Sequence, residues 1–166
     1  METFSYFRLS ESAAVEDAFY LKQMIAANFK EGNYYKVIMT AAIPLHGINK
    51  AFMLSYNDWE VLTNYLRDHA SEIEDGTFDP ILDTPTVKTD KPSRYPSMWS
   101  KICHSVNPHK YPLIYDSKVN KKLKVYDYNR DQFYDKARAY LNANYVNWEE
   151  LTDEELYLID SNLWWE

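Results

Sequence analysis

The sequence predicts a mainly α-helical fold, and three observations point that way. Apolar residues recur at spacings of three and four along several stretches of the 166-residue chain. Those stretches open on Ser, Thr, Asn or Asp and close on Gly or Asn-Pro, the chemistry of helix ends. The chain also holds only three glycines, too few for a many-turned β-sandwich or a glycine-rich phosphate-binding protein.

The elements follow in order. Ser10 and Ser12 are suited to cap a helix running to Gly32, with Val15, Ala18, Phe19, Ile25 and Phe29 on its apolar side and Gly32-Asn33 as its stop. The run from Tyr34 to Leu45 is short and uniformly apolar, so within it residues 34–43 are open between a short strand and a short helix. Pro44 ends that run and His46-Gly47 turns the chain. Asn57-Asp58-Trp59-Glu60 has the form of a capping-box start. Val61, Leu62, Tyr65, Leu66, His69 and Ile73 then repeat at helical spacing up to Asp75-Gly76.

Residues 77–96 hold four of the seven prolines and read as an extended connector, because proline fixes φ and removes a backbone donor. Ser97 to Val106 is a short helix capped by Ser97 and stopped by Asn107-Pro108. Tyr111 to Tyr115 is an apolar lead-in, and Asp116 stands at an N-cap position before Ser117-Lys118-Val119. A further helix is expected from about Arg130 to Leu141, with Phe133, Tyr134, Ala137, Tyr140 and Leu141 inward. Thr152-Asp153-Glu154-Glu155 is a capping box opening a last helix that carries Leu156, Ile159, Leu163 and Trp164. The expected organisation is a helical part over 1–76, the connector over 77–96 and a second helical part over 97–166, within one domain.

Composition sets limits on function. One cysteine excludes an internal disulfide and any Cys-based zinc cluster. No apolar run reaches about 18 residues, so no membrane span is expected. No charged-then-apolar leader opens the chain, which makes a cytoplasmic location the expectation. The net charge of −7 is unevenly spread: residues 91–138 carry +7 and the remainder −14. Such asymmetry suits a segment that faces a polyanion, or a basic helix that complements acidic ones in the same fold.

The residues with the most chemistry are Pro96-Ser97-Met98-Trp99-Ser100-Lys101 and Tyr115-Asp116-Ser117-Lys118-Val119. This pattern resembles the helix-hairpin-helix base-excision DNA glycosylases, especially their 8-oxoguanine-glycosylase-like branch, over about residues 93–165. Pro96 matches the hairpin proline, Lys101 the lysine nucleophile, Asp116 the aspartate that caps the next helix and Val119 the hydrophobic residue after it. Leu158 to Trp165 is similar to the closing helix of short members. The family's two hairpin glycines fall on Ser97 and Trp99, which alters the backbone approach to a DNA phosphate. The resemblance implies a helix-hairpin-helix fold and no cofactor. It also implies a base flipped out of the duplex, Lys101 attacking the sugar as a free amine, and Asp116 stabilising the positive charge that develops there. Ser97, Trp99, Lys118, Lys121, Lys122 and Lys124 are then the residues expected at the DNA.

Read without the resemblance, Lys101 is a solvent-facing helix residue and Asp116 is an N-cap. Cys103, His104 and His109 lack metal-ligand spacing and read as a buried thiol and loop residues, and His69 as a helix-surface residue; no metal site is expected. The tyrosines (Tyr34-Tyr35, Tyr126, Tyr128, Tyr134, Tyr140, Tyr145) suit base stacking, a protein interface or a core boundary. Three functions remain open. One is a DNA glycosylase acting on a damaged or modified base. Another is a catalytically inactive acidic protein on the same scaffold, one that binds a basic nucleic-acid-processing enzyme and inhibits it, as a phage-type anti-defence protein would. The third is recognition of a free nucleotide or modified base in an aromatic pocket.

Overall fold

The computed structural model describes residues 17–42, 55–87 and 92–165. Within them the chain is mainly α-helical and forms no strand. The expected caps Ser10 and Ser12 and the turn at His46-Gly47 lie outside the described residues.

Helix α1 covers residues 17–30 and buries Ala18, Ile25 and Phe29. Gly32 ends it with φ of +76°, and the Asn33 amide closes back on the Asn28 carbonyl at 2.9 Å. This is the left-handed stop that glycine permits at low cost. Helix α2, Tyr34–Ala41, resolves the open stretch as helix and corrects the strand alternative. Val37, Ile38 and Ala41 share one helical face and pack towards the next two helices; a strand would split them between two faces.

Helix α3, Tyr56–Asp75, starts ahead of the expected Asn57 because Ser55 is the cap, its hydroxyl accepting the Asp58 amide at 3.1 Å. Its buried stripe is Leu62, Leu66, Ala70 and Ile73, whereas Val61 is exposed. Gly76 ends it at φ +78°, and a Cβ there would meet Lys110 Cγ at 2.5 Å. The connector is non-helical where described up to Tyr95. Val87 and Ser93 exchange two antiparallel hydrogen bonds of 2.9 Å, and the Tyr111 hydroxyl donates to the Phe78 carbonyl at 2.7 Å.

Helix α4, Pro96–Val106, is the centre of the molecule: Met98 through Ser105 are all buried. Its start corrects the expected Ser97 cap. Pro96 occupies the first turn and Tyr95 stands at the cap with φ of 48°. Proline suits that position because its missing N–H would have had no partner there. Met98, Trp99 and Ile102 join α1, α2 and α3 in one apolar cluster.

Helix α5, Ser117–Leu123, leads through a 3₁₀ turn at Asp127–Gln132 into α6, Phe133–Asn144. Val119, Leu123, Phe133, Ala137 and Leu163 form a second cluster. Helix α7, Asp153–Trp165, opens on the expected box. The Thr152 amide donates to Glu155 Oε2 at 2.8 Å, and the Glu155 amide to Thr152 Oγ1 at 3.2 Å. Among the described residues no helix is long and apolar enough to cross a membrane.

Candidate functional site

Lys101 lies in the second turn of α4, and Asp116 caps α5. The Tyr115 amide donates to Ser100 Oγ at 2.9 Å, joining the residue before Asp116 to the residue before Lys101. Ser100 Oγ in turn donates to the Ser97 carbonyl at 3.0 Å. Asp116 is the foremost opposite charge acting on Lys101.

Lys101 is 5% exposed, so its reading as a solvent-facing residue is corrected. Its Nζ donates to the Ala41 carbonyl at the end of α2 at 2.9 Å. Burial pushes the ammonium down to about 7, Asp116 opposes the shift, and the positive charge of Lys22 adds to it. Asp116 accepts the Lys118 and Val119 amides through Oδ1, each at 2.9 Å, which makes it the N-cap expected of it. Burial and the negative charge of Asp160 push its carboxyl up to about 6, against the pull of those two amides and of Lys22.

Two further charges complete the group, and neither was expected from the sequence. Lys22 of α1 and Asp160 of α7 form an ion pair at 3.0 Å with almost no side-chain exposure. All three Lys22 protons have acceptors: Asp160 Oδ2 at 3.0 Å, the Tyr157 carbonyl at 2.9 Å and Ser161 Oγ at 3.1 Å. Asp160 Oδ1 accepts the Ile114 amide at 2.8 Å, which ties α7 to the segment that delivers Asp116. Burial alone would raise the Asp160 carboxyl, but the Lys22 charge and the hydrogen bonds outweigh it and hold it below the usual carboxylate range. A signal for both residues was present in the sequence. Lys22 falls on the stripe Ala18, Lys22, Ile25, Phe29, and Asp160 on the stripe Leu156, Asp160, Leu163. Opposite charges on two apolar faces point to a buried pair.

His104 borders the same group. Its Nδ1 donates to the Tyr111 carbonyl at 2.8 Å and its buried Nε2 has no partner. Burial, reinforced by Lys22, pushes the imidazole down to about 4, so it is neutral at pH 7. Cys103 is fully buried, and burial drives its thiol well above the ordinary range. His109 Nε2 reaches the Leu151 carbonyl at 2.8 Å. His69 pairs with Glu72 on the surface of α3.

The residues expected at DNA are not brought to one surface. Trp99 is fully buried, its ring against Tyr65 at 5.7 Å and Phe78 at 5.8 Å, so its indole has no surface to offer a phosphate. Ser97 is half-buried at the start of α4. Lys118, Lys121, Lys122 and Lys124 are exposed, but two of them turn to α7: Lys118 Nζ lies 3.9 Å from the Trp164 ring centroid, and Lys122 donates to the Leu163 carbonyl. In comparisons with known proteins the chain matches no family model, no curated protein and no solved structure.

Proposed function

We propose that this chain is a DNA glycosylase-like protein that excises a damaged or modified base, with Lys101 as Schiff-base nucleophile and Asp116 as charge stabiliser. The observation that supports the reading is the Ser100–Tyr115 bond, which ties the helix of the buried Lys101 to the segment that ends at Asp116. With Lys101 near 7 and Asp116 near 6, neutral pH leaves about half the lysine as free amine and most of the aspartate ionised. Those are the protonation states the chemistry needs.

The amine nitrogen attacks C1′ of the flipped nucleotide. The C1′–N bond breaks, and the base leaves with the bonding pair and takes up a proton. The Asp116 carboxylate stabilises the positive charge on the sugar. The nitrogen loses its proton, the sugar ring opens, and a Schiff base results. Lys101 must first leave the Ala41 carbonyl, so the end of α2 has to give way as substrate enters.

The reading is tested by borohydride trapping on duplexes carrying oxidised, alkylated or hypermodified bases. The expected result is a covalent adduct with one of them, lost in Lys101→Ala. No adduct on any of these duplexes sinks the lyase chemistry.

The second reading is an inactive acidic protein that occupies the DNA site of a basic nucleic-acid enzyme. It is favoured by the Lys101 hydrogen bond to Ala41, which is a structural use of the side chain, and by the −14 outside residues 91–138. A nuclease or restriction enzyme co-purifying in stoichiometric amount, with no DNA affinity in the free protein, would select it. Salt-dependent DNA binding would count against it.

A further inference from the structure

We propose that the stacked pair Tyr126 and Tyr128, beyond the C-terminal end of α5, is a platform on which an unpaired base of a nucleic-acid strand stacks. The two rings lie nearly parallel, 5.6 Å apart at 18°. Tyr126 is 49% exposed and Tyr128 83%. Neither ring belongs to the apolar cluster that holds the neighbouring Leu123 and Val125.

The loop that carries the rings is pinned. Asn129 Oδ1 accepts the Tyr126 amide at 2.6 Å, Asn129 Nδ2 donates to the Lys124 carbonyl at 3.1 Å, and the Val125 amide closes onto Asn120 at 2.8 Å. Lys124 itself takes a left-handed φ of 57°, which turns the chain sharply out of α5. A backbone held this way loses little freedom when a base is added to the stack.

Charge selects the occupant. Residues 117–131 carry five basic and two acidic side chains in a chain of net −7. Lys121, Lys124 and Arg130 stand within five residues of the ring pair in the sequence and suit a phosphate backbone, while Lys118 and Lys122 are committed to α7. Two rings amid charged neighbours expose too little contiguous apolar surface for the core of a protein interface. A base needs only one aromatic face, and every base offers one in return. The presence of Asp127 and Asp131 makes the contact led by stacking rather than by phosphate. The platform does not depend on the chemistry of Lys101 and goes beyond it.

The test is fluorescence anisotropy of the full chain with a labelled oligothymidine of about 12 nucleotides and with a hairpin duplex of the same label. The expected result is preference for the single strand, with a log–log salt slope no steeper than about −2, as about three phosphate contacts give. Tyr126→Ala/Tyr128→Ala should weaken that binding tenfold or more, and Tyr126→Phe/Tyr128→Phe should retain it, with circular dichroism of each variant matching the parent. Wild-type binding that is absent at low salt overturns the platform. So does single-strand binding that survives the alanine pair. Lys101→Ala should leave oligothymidine binding unchanged while abolishing borohydride trapping, so failure of the lyase reading and failure of the platform are separate results.

Discussion

A lysine ammonium taken out of water loses its hydration, and for Lys101 that loss outweighs the opposing charge of Asp116. This is why its pKa falls to about 7 while Asp116, also partly desolvated and near Asp160, rises to about 6. If the pair acts as proposed, trapping rate at fixed substrate should climb from about pH 5 to about pH 8 as both groups lose their protons, then level off. A profile still rising above pH 9 would mean an ordinary exposed lysine. Lys22 and Asp160 present a different residue-scale problem, since each satisfies the other. Removing one partner leaves an unpaired buried charge, so Lys22→Met or Asp160→Leu should each cost about 3–5 kcal/mol in urea unfolding. The double change Lys22→Met/Asp160→Leu should cost less than the two single costs added together. Additive costs would show that the two charges are not coupled.

At the scale of elements, ends proved more variable than middles. Gly32, Gly76 and the Thr152–Glu155 box lie where the sequence places them, because each supplies backbone chemistry that needs no distant partner. The starts at Ser55 and Pro96 differ by one or two residues from the expected ones, since several neighbouring polar residues can serve and packing selects among them. Gly76 makes this concrete. Alanine there would take a left-handed conformation and press on the Lys110 side chain, so Gly76→Ala should lower stability by about 1–2 kcal/mol, read from the thermal midpoint. Thr152→Ala should cost about 1 kcal/mol by removing the cap of α7. An unchanged midpoint in either variant would show that the corresponding end is frayed. The stretch 34–43 could not be typed from its own residues because strand and buried helix share its composition; contact with α3 and α4 makes it helix.

Over the whole molecule, the buried charges give stability a readable dependence on pH. Between about 7 and 10.5 the unfolded chain holds a proton on Lys101 that the folded chain has released, so stability from this group rises with pH. Asp116 acts in the opposite sense at lower pH. Between 3.8 and about 6 the folded chain holds a proton that the unfolded chain has lost, so its contribution falls as pH rises. Urea midpoints for the parent and Lys101→Met, compared from pH 6 to pH 10, should converge on the alkaline side if the methionine variant is the more stable at neutral pH, and diverge if it is the less stable. A difference that stays constant over that range would mean that Lys101 titrates alike in both states. The −7 charge matters at this scale too, because the +7 of residues 91–138 is not one free patch: Lys118 and Lys122 brace α7, while Lys121, Lys124 and Arg130 are exposed.

The sequence by itself determined the helical class, most helix stops and the Asp116 cap, all of which rest on local hydrogen bonding and periodicity. It also named Lys101 and Asp116 as a pair, through resemblance rather than through spacing. Only the tertiary structure decided that Lys101 is buried, that Trp99 is a core residue, and that Lys22 and Asp160 meet across α1 and α7. Burial and ion pairing depend on which faces of separate helices come together. The hydrogen bonds within a helix leave that choice open, and the packing of α4 against its neighbours makes it.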